Sequence, residues 1–149
     1  MCCVFICPDT SAGQIPSYRL FAENFIPNGD YYTANEFTFD IKIRKVNNTR
    51  LEYAGGQFTL DFRTEVANGG TLSFDFTSDT SDLPAELRPQ NPHIIYGSSI
   101  SKMVLDLNNF PEPGNGYLIP LDSGTTIAKL KMRTTAPTFS FTGWVIGGW

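Results

Sequence analysis

The side chains in this sequence that could do chemistry are few, and their spacing fits little catalysis. The single histidine, His93, sits between Pro92 and Ile94 in a proline-rich stretch. A Ser-His-Asp relay needs that imidazole beside a serine held at an oxyanion site. Gly97-Ser98-Ser99 lies close by, but the glycine that would complete a Gly-x-Ser-x-Gly elbow is missing. Glycoside hydrolysis needs two carboxylates facing one bond. Glu36, Asp40, Asp61 and Asp75 are spread over separate runs among Thr and Lys, and only Glu36 and Asp40 share one. Any solvated strand face carries such residues. Zinc asks for Cys and His at short fixed spacings, and Cys2, Cys3 and Cys7 have no histidine near them. A phosphate loop places its glycines before a helix, whereas Gly55-Gly56 and Gly69-Gly70 precede strand-like runs. The expectation is a protein that is not an enzyme.

Two kinds of binding fit better. Calcium takes oxygen ligands from Asp, Asn and loop carbonyls. Asp79 and Asp82 flank Thr80-Ser81, and Asp122 precedes Ser123-Gly124, so these three aspartates are the candidate ligands and calcium the candidate ion. None of the loops has the glycine and late glutamate of an EF-hand, and aspartate is also a common turn former. Tyr31, Tyr32, Trp144 and Trp149 are the candidate ligand or interface residues. Their rings could stack on sugar faces or on a partner, or fill a core. Tyr31 and Tyr32 are adjacent, so on an extended segment one of them must point outward. Asn47-Asn48-Thr49 accepts a glycan only in a glycosylating host.

The elements that must position these residues read as short strands. In the run 36–45, Phe37, Phe39, Ile41 and Ile43 alternate with Thr38, Asp40, Lys42 and Arg44, the period of a strand with one wet face. Runs 57–63, 71–77, 100–107 and 127–133 alternate in the same way, and 18–25 and 138–149 are further candidates. Asn68-Gly69-Gly70 reads as a hairpin turn between the second and third of these runs. The stretch 78–99, with Pro84, Pro89 and Pro92, reads as a long surface crossover with a short helical turn near Pro84. No amphipathic helix is evident. The expectation is one all-β domain spanning 1–149, a two-sheet antiparallel β-sandwich with an immunoglobulin-like or jelly-roll arrangement and little helix. Phe37, Phe39, Ile41, Phe58, Leu60, Phe62, Phe74 and Leu130 are its expected core.

Composition narrows the partners. The 149 residues are 41% hydrophobic and 17% charged, a globular balance, and the net charge is −4 with no Lys/Arg cluster along the sequence. A nucleic-acid partner is therefore not expected. Residues 1–7 are apolar and uncharged but too short for a membrane span. They read as an N-terminal arm within 1–16 that docks on a neighbour, as the tail of a signal peptide, or as a lipid-anchor site at Cys7.

Taken together, Asn35 to Arg44, Gly55-Gly56-Gln57-Phe58-Thr59-Leu60-Asp61-Phe62, Asn68-Gly69-Gly70-Thr71-Leu72, Pro113-Gly114-Asn115-Gly116 and Ile127 to Thr134 carry a resemblance. Across residues 18–141 the chain resembles cohesin-like β-sandwich modules of secreted, surface-attached proteins of Bacteroidota and related bacteria. The resemblance implies a non-enzymatic role in adhesion, surface assembly or glycan contact. It supplies no binding residues. The resulting expectation is an extracellular or cell-surface bacterial module. Its partners would be copies of itself, built into a filament or tube through the uncharged terminal segments, or other surface proteins. A carbohydrate-binding module is the alternative.

Overall fold

The computed structural model describes residues 17–77, 81–112, 114–121 and 124–140. Nine strands occur among them: β1 (Tyr18–Pro27), β2 (Glu36–Lys45), β3 (Glu52–Tyr53), β4 (Phe58–Arg63), β5 (Leu72–Phe76), β6 (Gln90–Ile95), β7 (Ile100–Asp106), β8 (Tyr117–Leu118) and β9 (Thr125–Thr134). Two single-turn 3-10 helices, Thr64–Ala67 and Ala85–Leu87, are the only helical segments described. The fold is all-β. Every pairing is antiparallel, in a four-stranded sheet β1-β2-β9-β5, a three-stranded sheet β4-β7-β6 and the small ribbon β3-β8.

Alternation sends one set of side chains inward from each larger sheet, and the two sets meet in a single buried cluster. Phe37, Phe39, Ile41, Leu105, Ile127 and Leu130 are all but sealed from solvent. Phe39 is the central ring, stacked on Phe25 at 5.1 Å and meeting Phe74 edge-on at 6.5 Å. Phe62 of β4 reaches Phe74 of β5 at 5.7 Å, so aromatic contact joins the two sheets. Tyr96 adds a polar tie, its hydroxyl donating to the Leu72 carbonyl at 3.2 Å. Seven of the eight expected core residues are buried; Phe62 is only half-buried at the margin of the cluster.

Two bulges shape the four-stranded sheet. In β9 the register with β2 jumps from Ala128 to Thr126, which lets Ile127 and Ala128 both enter the core. In β1 the shift falls between Glu23 and Ile26, where Asn24 takes φ +57° and its amide donates to Asp40 at 2.7 Å.

The sequence expectations need two corrections. Asn68-Gly69-Gly70 does not close a hairpin: β4 pairs with β7 and β5 with β9, so this segment carries the chain from one sheet to the other. The 3-10 turn before it buries Val66 and Ala67, and Asn68 leaves it at φ +53°. Nor is the stretch 78–99 all crossover, since Gln90–Ile95 forms β6. A proline within a run argues against a central strand. β6 is an edge strand whose register breaks between Gln90 and His93, which accommodates Pro92 and the positive φ of Asn91. The short helical turn is present as Ala85–Leu87. Residues 1–16, the expected docking arm, lie outside the described residues, as do 141–149.

Candidate functional site

The outward face of the four-stranded sheet is a ladder of charge. Register and alternation place Arg19, Phe21 and Glu23 of β1 beside Glu36, Asp40, Lys42 and Arg44 of β2, then Lys129, Lys131 and Arg133 of β9, then Asp75 of β5. Most rungs neutralise one another. Lys42 meets Glu23 at 2.7 Å, and Lys129 lies 3.8 Å from Asp40. Glu36 receives Arg133, whose Nε donates at 2.9 Å and Nη2 at 2.5 Å, and Lys131 stands 3.3 Å away. The Arg133 hydrogen bond holds the Glu36 carboxyl below the usual carboxylate range; partial burial opposes it, and Lys131 adds to the lowering. Asp40 is buried between Asn24 and Lys129, so neither it nor Glu36 is presented as a paired acid and base.

One corner of this face differs. Arg19 stands directly opposite Arg44, both exposed, and the Arg44 guanidinium lies 5.0 Å over the Phe21 ring. Among the described residues Arg19 meets no carboxylate.

The outward face of the three-stranded sheet holds His93. Its Nδ1 lies 3.0 Å from the Asn91 carbonyl and 3.7 Å from Asp106, whose carboxylate also accepts from Asn91 at 2.8 Å and Gln57 at 3.4 Å. His93 pairs with Val104 along the ladder, whereas Ser98 and Ser99 lie in the turn beyond Ile95. That turn is tied by other groups: Ser101 Oγ accepts the Gly97 N–H at 3.2 Å and lies 2.9 Å from the Thr64 hydroxyl. Apolar side chains mark the same end of the sheet. Ile95, Tyr96 and Ile100 are 54%, 58% and 49% exposed.

The sequence-level candidates fall in separate places. Tyr31 and Tyr32 sit together in the β1–β2 connection, exposed, with centroids 5.6 Å apart and planes 80° apart. Tyr31 also packs edge-on against Phe37 at 5.4 Å, which anchors it to the core. Asp82 serves the backbone of another strand. Its Oδ2 accepts the Thr126 N–H at 2.6 Å, while its own N–H donates to the Thr126 carbonyl at 2.9 Å. Ser81 donates to the Ile127 carbonyl at 2.6 Å, so the pair satisfies the backbone freed by the β9 bulge. Asp79, Asp122, Trp144 and Trp149 lie outside the described residues. Among the described residues, no three His, Cys, Asp or Glu side chains gather as a metal site, and no helix is long and apolar enough to cross a membrane.

No family model, curated protein or solved structure matches the chain.

Sequence reasoning missed the Arg19–Arg44 corner, which unites residues of two strands through register, and the exposed Ile95 and Ile100 on the two arms of one hairpin. The first had a usable signal, because the alternation that sends Ile43 inward sends Arg44 outward.

Proposed function

We propose that this chain is a non-enzymatic structural or adhesion module of a bacterial cell surface, a two-sheet sandwich that self-associates through protein contacts. The observation that carries the reading is the exposed apolar end of the β6–β7 hairpin. Ile95 and Ile100 present large apolar side chains to solvent on the sheet face that also carries His93, Lys102 and Asp61, and Tyr96 is exposed where the hairpin turns. Large apolar side chains exposed near one another at the end of a hairpin suit a protein contact. The β1 edge is a poorer place for strand addition, since it carries a bulge, two charged residues and a terminal proline. The sandwich itself is supported by two antiparallel sheets whose inward faces share one core. The resemblance to cohesin-like modules supports a secreted, surface-attached setting.

The non-enzymatic half of the reading is supported by how the reactive side chains are used. His93 faces Asn91 and Asp106 rather than a serine, and Glu36 and Asp40 are each engaged by cations. A flat sugar platform wants coplanar rings, and the edge-to-face Tyr31–Tyr32 pair favours self-association over the carbohydrate-binding alternative. The test is whether the intact chain sediments as a species larger than a monomer as its concentration rises, and whether Ile95→Lys with Ile100→Lys abolishes that growth.

A further inference from the structure

Asparagine is a thermolabile residue, and most so before glycine. The backbone nitrogen that follows it can attack its side-chain amide carbon, and a glycine, with no Cβ, leaves that nitrogen open to approach. The chain has three such dipeptides, Asn28-Gly29, Asn68-Gly69 and Asn115-Gly116. Attack requires the side chain to swing onto the next nitrogen, so a side chain tied elsewhere is protected. Two of the three are tied. The Asn68 amide donates to the Thr138 carbonyl at 3.1 Å and to its hydroxyl at 3.3 Å, and Asn68 itself is held at φ +53° behind a 3-10 turn. The Asn28 amide donates to Asn35 Oδ1 at 2.9 Å, while its backbone N–H donates to the Glu36 carbonyl at 3.0 Å. Asn115 is exposed, and among the described residues its side chain makes no hydrogen bond. Only its backbone N–H is engaged, by the Glu112 carbonyl at 3.0 Å. The third glycine also differs from the other two. A Cβ on Gly116 would lie 2.6 Å from Glu52 Cγ and 2.7 Å from the Tyr53 carbonyl oxygen, whereas one on Gly29 or Gly69 would have nothing within 4 Å.

We propose that Asn115 is a self-modification site, at which the folded chain loses ammonia and then takes up water, and that the product parts β8 from β3. In the first step the Gly116 nitrogen bonds to Asn115 Cγ. The side-chain amide nitrogen leaves as ammonia, carrying the proton that the Gly116 nitrogen gives up. Water then opens the resulting cyclic imide, its hydroxyl going to one carbonyl carbon and its hydrogen to the nitrogen. Opening at Cγ gives aspartate with the backbone as before. Opening at the main-chain carbonyl gives isoaspartate, whose backbone runs through Cβ and Cγ and is one carbon longer. Either product adds a carboxylate to a chain of net charge −4. The isoaspartate lengthens the backbone just before Gly116, where Glu52 and Tyr53 leave no room. The ribbon there is two residues long, Tyr53 opposite Tyr117 and Glu52 opposite Leu118, with the Ile119 N–H donating to the Leu51 carbonyl at 3.0 Å beyond it. So short a pairing cannot absorb an extra backbone atom and keep its register. The inference stands apart from the self-association reading.

The experiment incubates the full chain at neutral and mildly alkaline pH, folded and in urea, and maps its peptides by mass spectrometry with a separation that resolves aspartate from isoaspartate. In urea the three asparagines should convert at comparable rates. In the folded chain Asn115 should convert first, with Asn28 and Asn68 held back by their hydrogen bonds. Amide-exchange protection at Ile119 should fall in step with the isoaspartate formed. Asn115→Gln, checked by a thermal melt, should keep that protection through the same incubation. A folded chain in which Asn28 or Asn68 converts ahead of Asn115, or in which folding slows Asn115 as much as the other two, overturns the site. Isoaspartate at 115 with Ile119 protection unchanged overturns the parting of β3 and β8.

Discussion

Glu36 accepts two N–H groups of Arg133 on one oxygen and has Lys131 beside the other, which makes it the most heavily satisfied carboxylate described on the charged face. Its folded-state pKa is depressed, so its contribution to stability is present above the unfolded value and is lost as pH falls through the folded one. Glu36→Gln should therefore flatten the acid limb of the stability profile below about pH 4.3, the ordinary glutamate value. Near neutral pH it should cost no more than about 1 kcal/mol, as exposed ion pairs do. Denaturant melts at a series of pH values measure both. Asp82 makes a different point about single residues. Its place in a run of turn-forming residues suggested a ligand for calcium, but its carboxylate caps the backbone of a bulge in a strand far along the chain. Spacing along the sequence cannot distinguish those uses, because the bulge exists only once β2 and β9 are paired.

Among the strands, those with one wet face were readable in advance. β2, β4, β5, β7 and β9 fall where alternation of Phe, Leu and Ile with Thr, Asp and Lys puts them, because a one-residue slip would turn each apolar set to water. The proline-containing edge strand β6 and the ribbon elements were not readable. β6 contains Asn91, Pro92 and His93, and β3 and β8 are two residues each, too short to show a period. Pairing partners were hidden as well, since Asn68-Gly69-Gly70 has hairpin chemistry yet joins two sheets. The β6–β7 turn shows how tightly such a connection is built. Gly97 lies so close to the Ile100 carbonyl that a Cβ would overlap it, and the Gly97 N–H is bonded to buried Ser101. Gly97→Ala must displace the turn and should destabilise by about 1–3 kcal/mol, the usual cost of overpacking. Chemical denaturation measures the loss, and loss of amide-exchange protection in β6 and β7 ahead of β2 and β9 would locate it.

Over the whole molecule, the core is one body fed by both larger sheets, and Phe39 sits where β1, β2 and β5 contribute rings. Phe39→Ala should cost about 3–5 kcal/mol, read from equilibrium unfolding, because the cavity it leaves is walled by side chains anchored in different strands. A cost below about 1 kcal/mol would mean that the ring is not central. The surface is less uniform than the core: one sheet face is a compensated ionic ladder with a basic corner, and the other ends in exposed Ile95, Tyr96 and Ile100. Self-association is the reading that uses the exposed apolar end, and sedimentation velocity of the intact chain over a wide concentration range tests it most directly. The natural chain should grow beyond the monomer with concentration, and the chain carrying Ile95→Lys with Ile100→Lys should remain a folded monomer. A single monomeric boundary for the natural chain at the highest concentration attainable, in the presence of calcium, would contradict self-association.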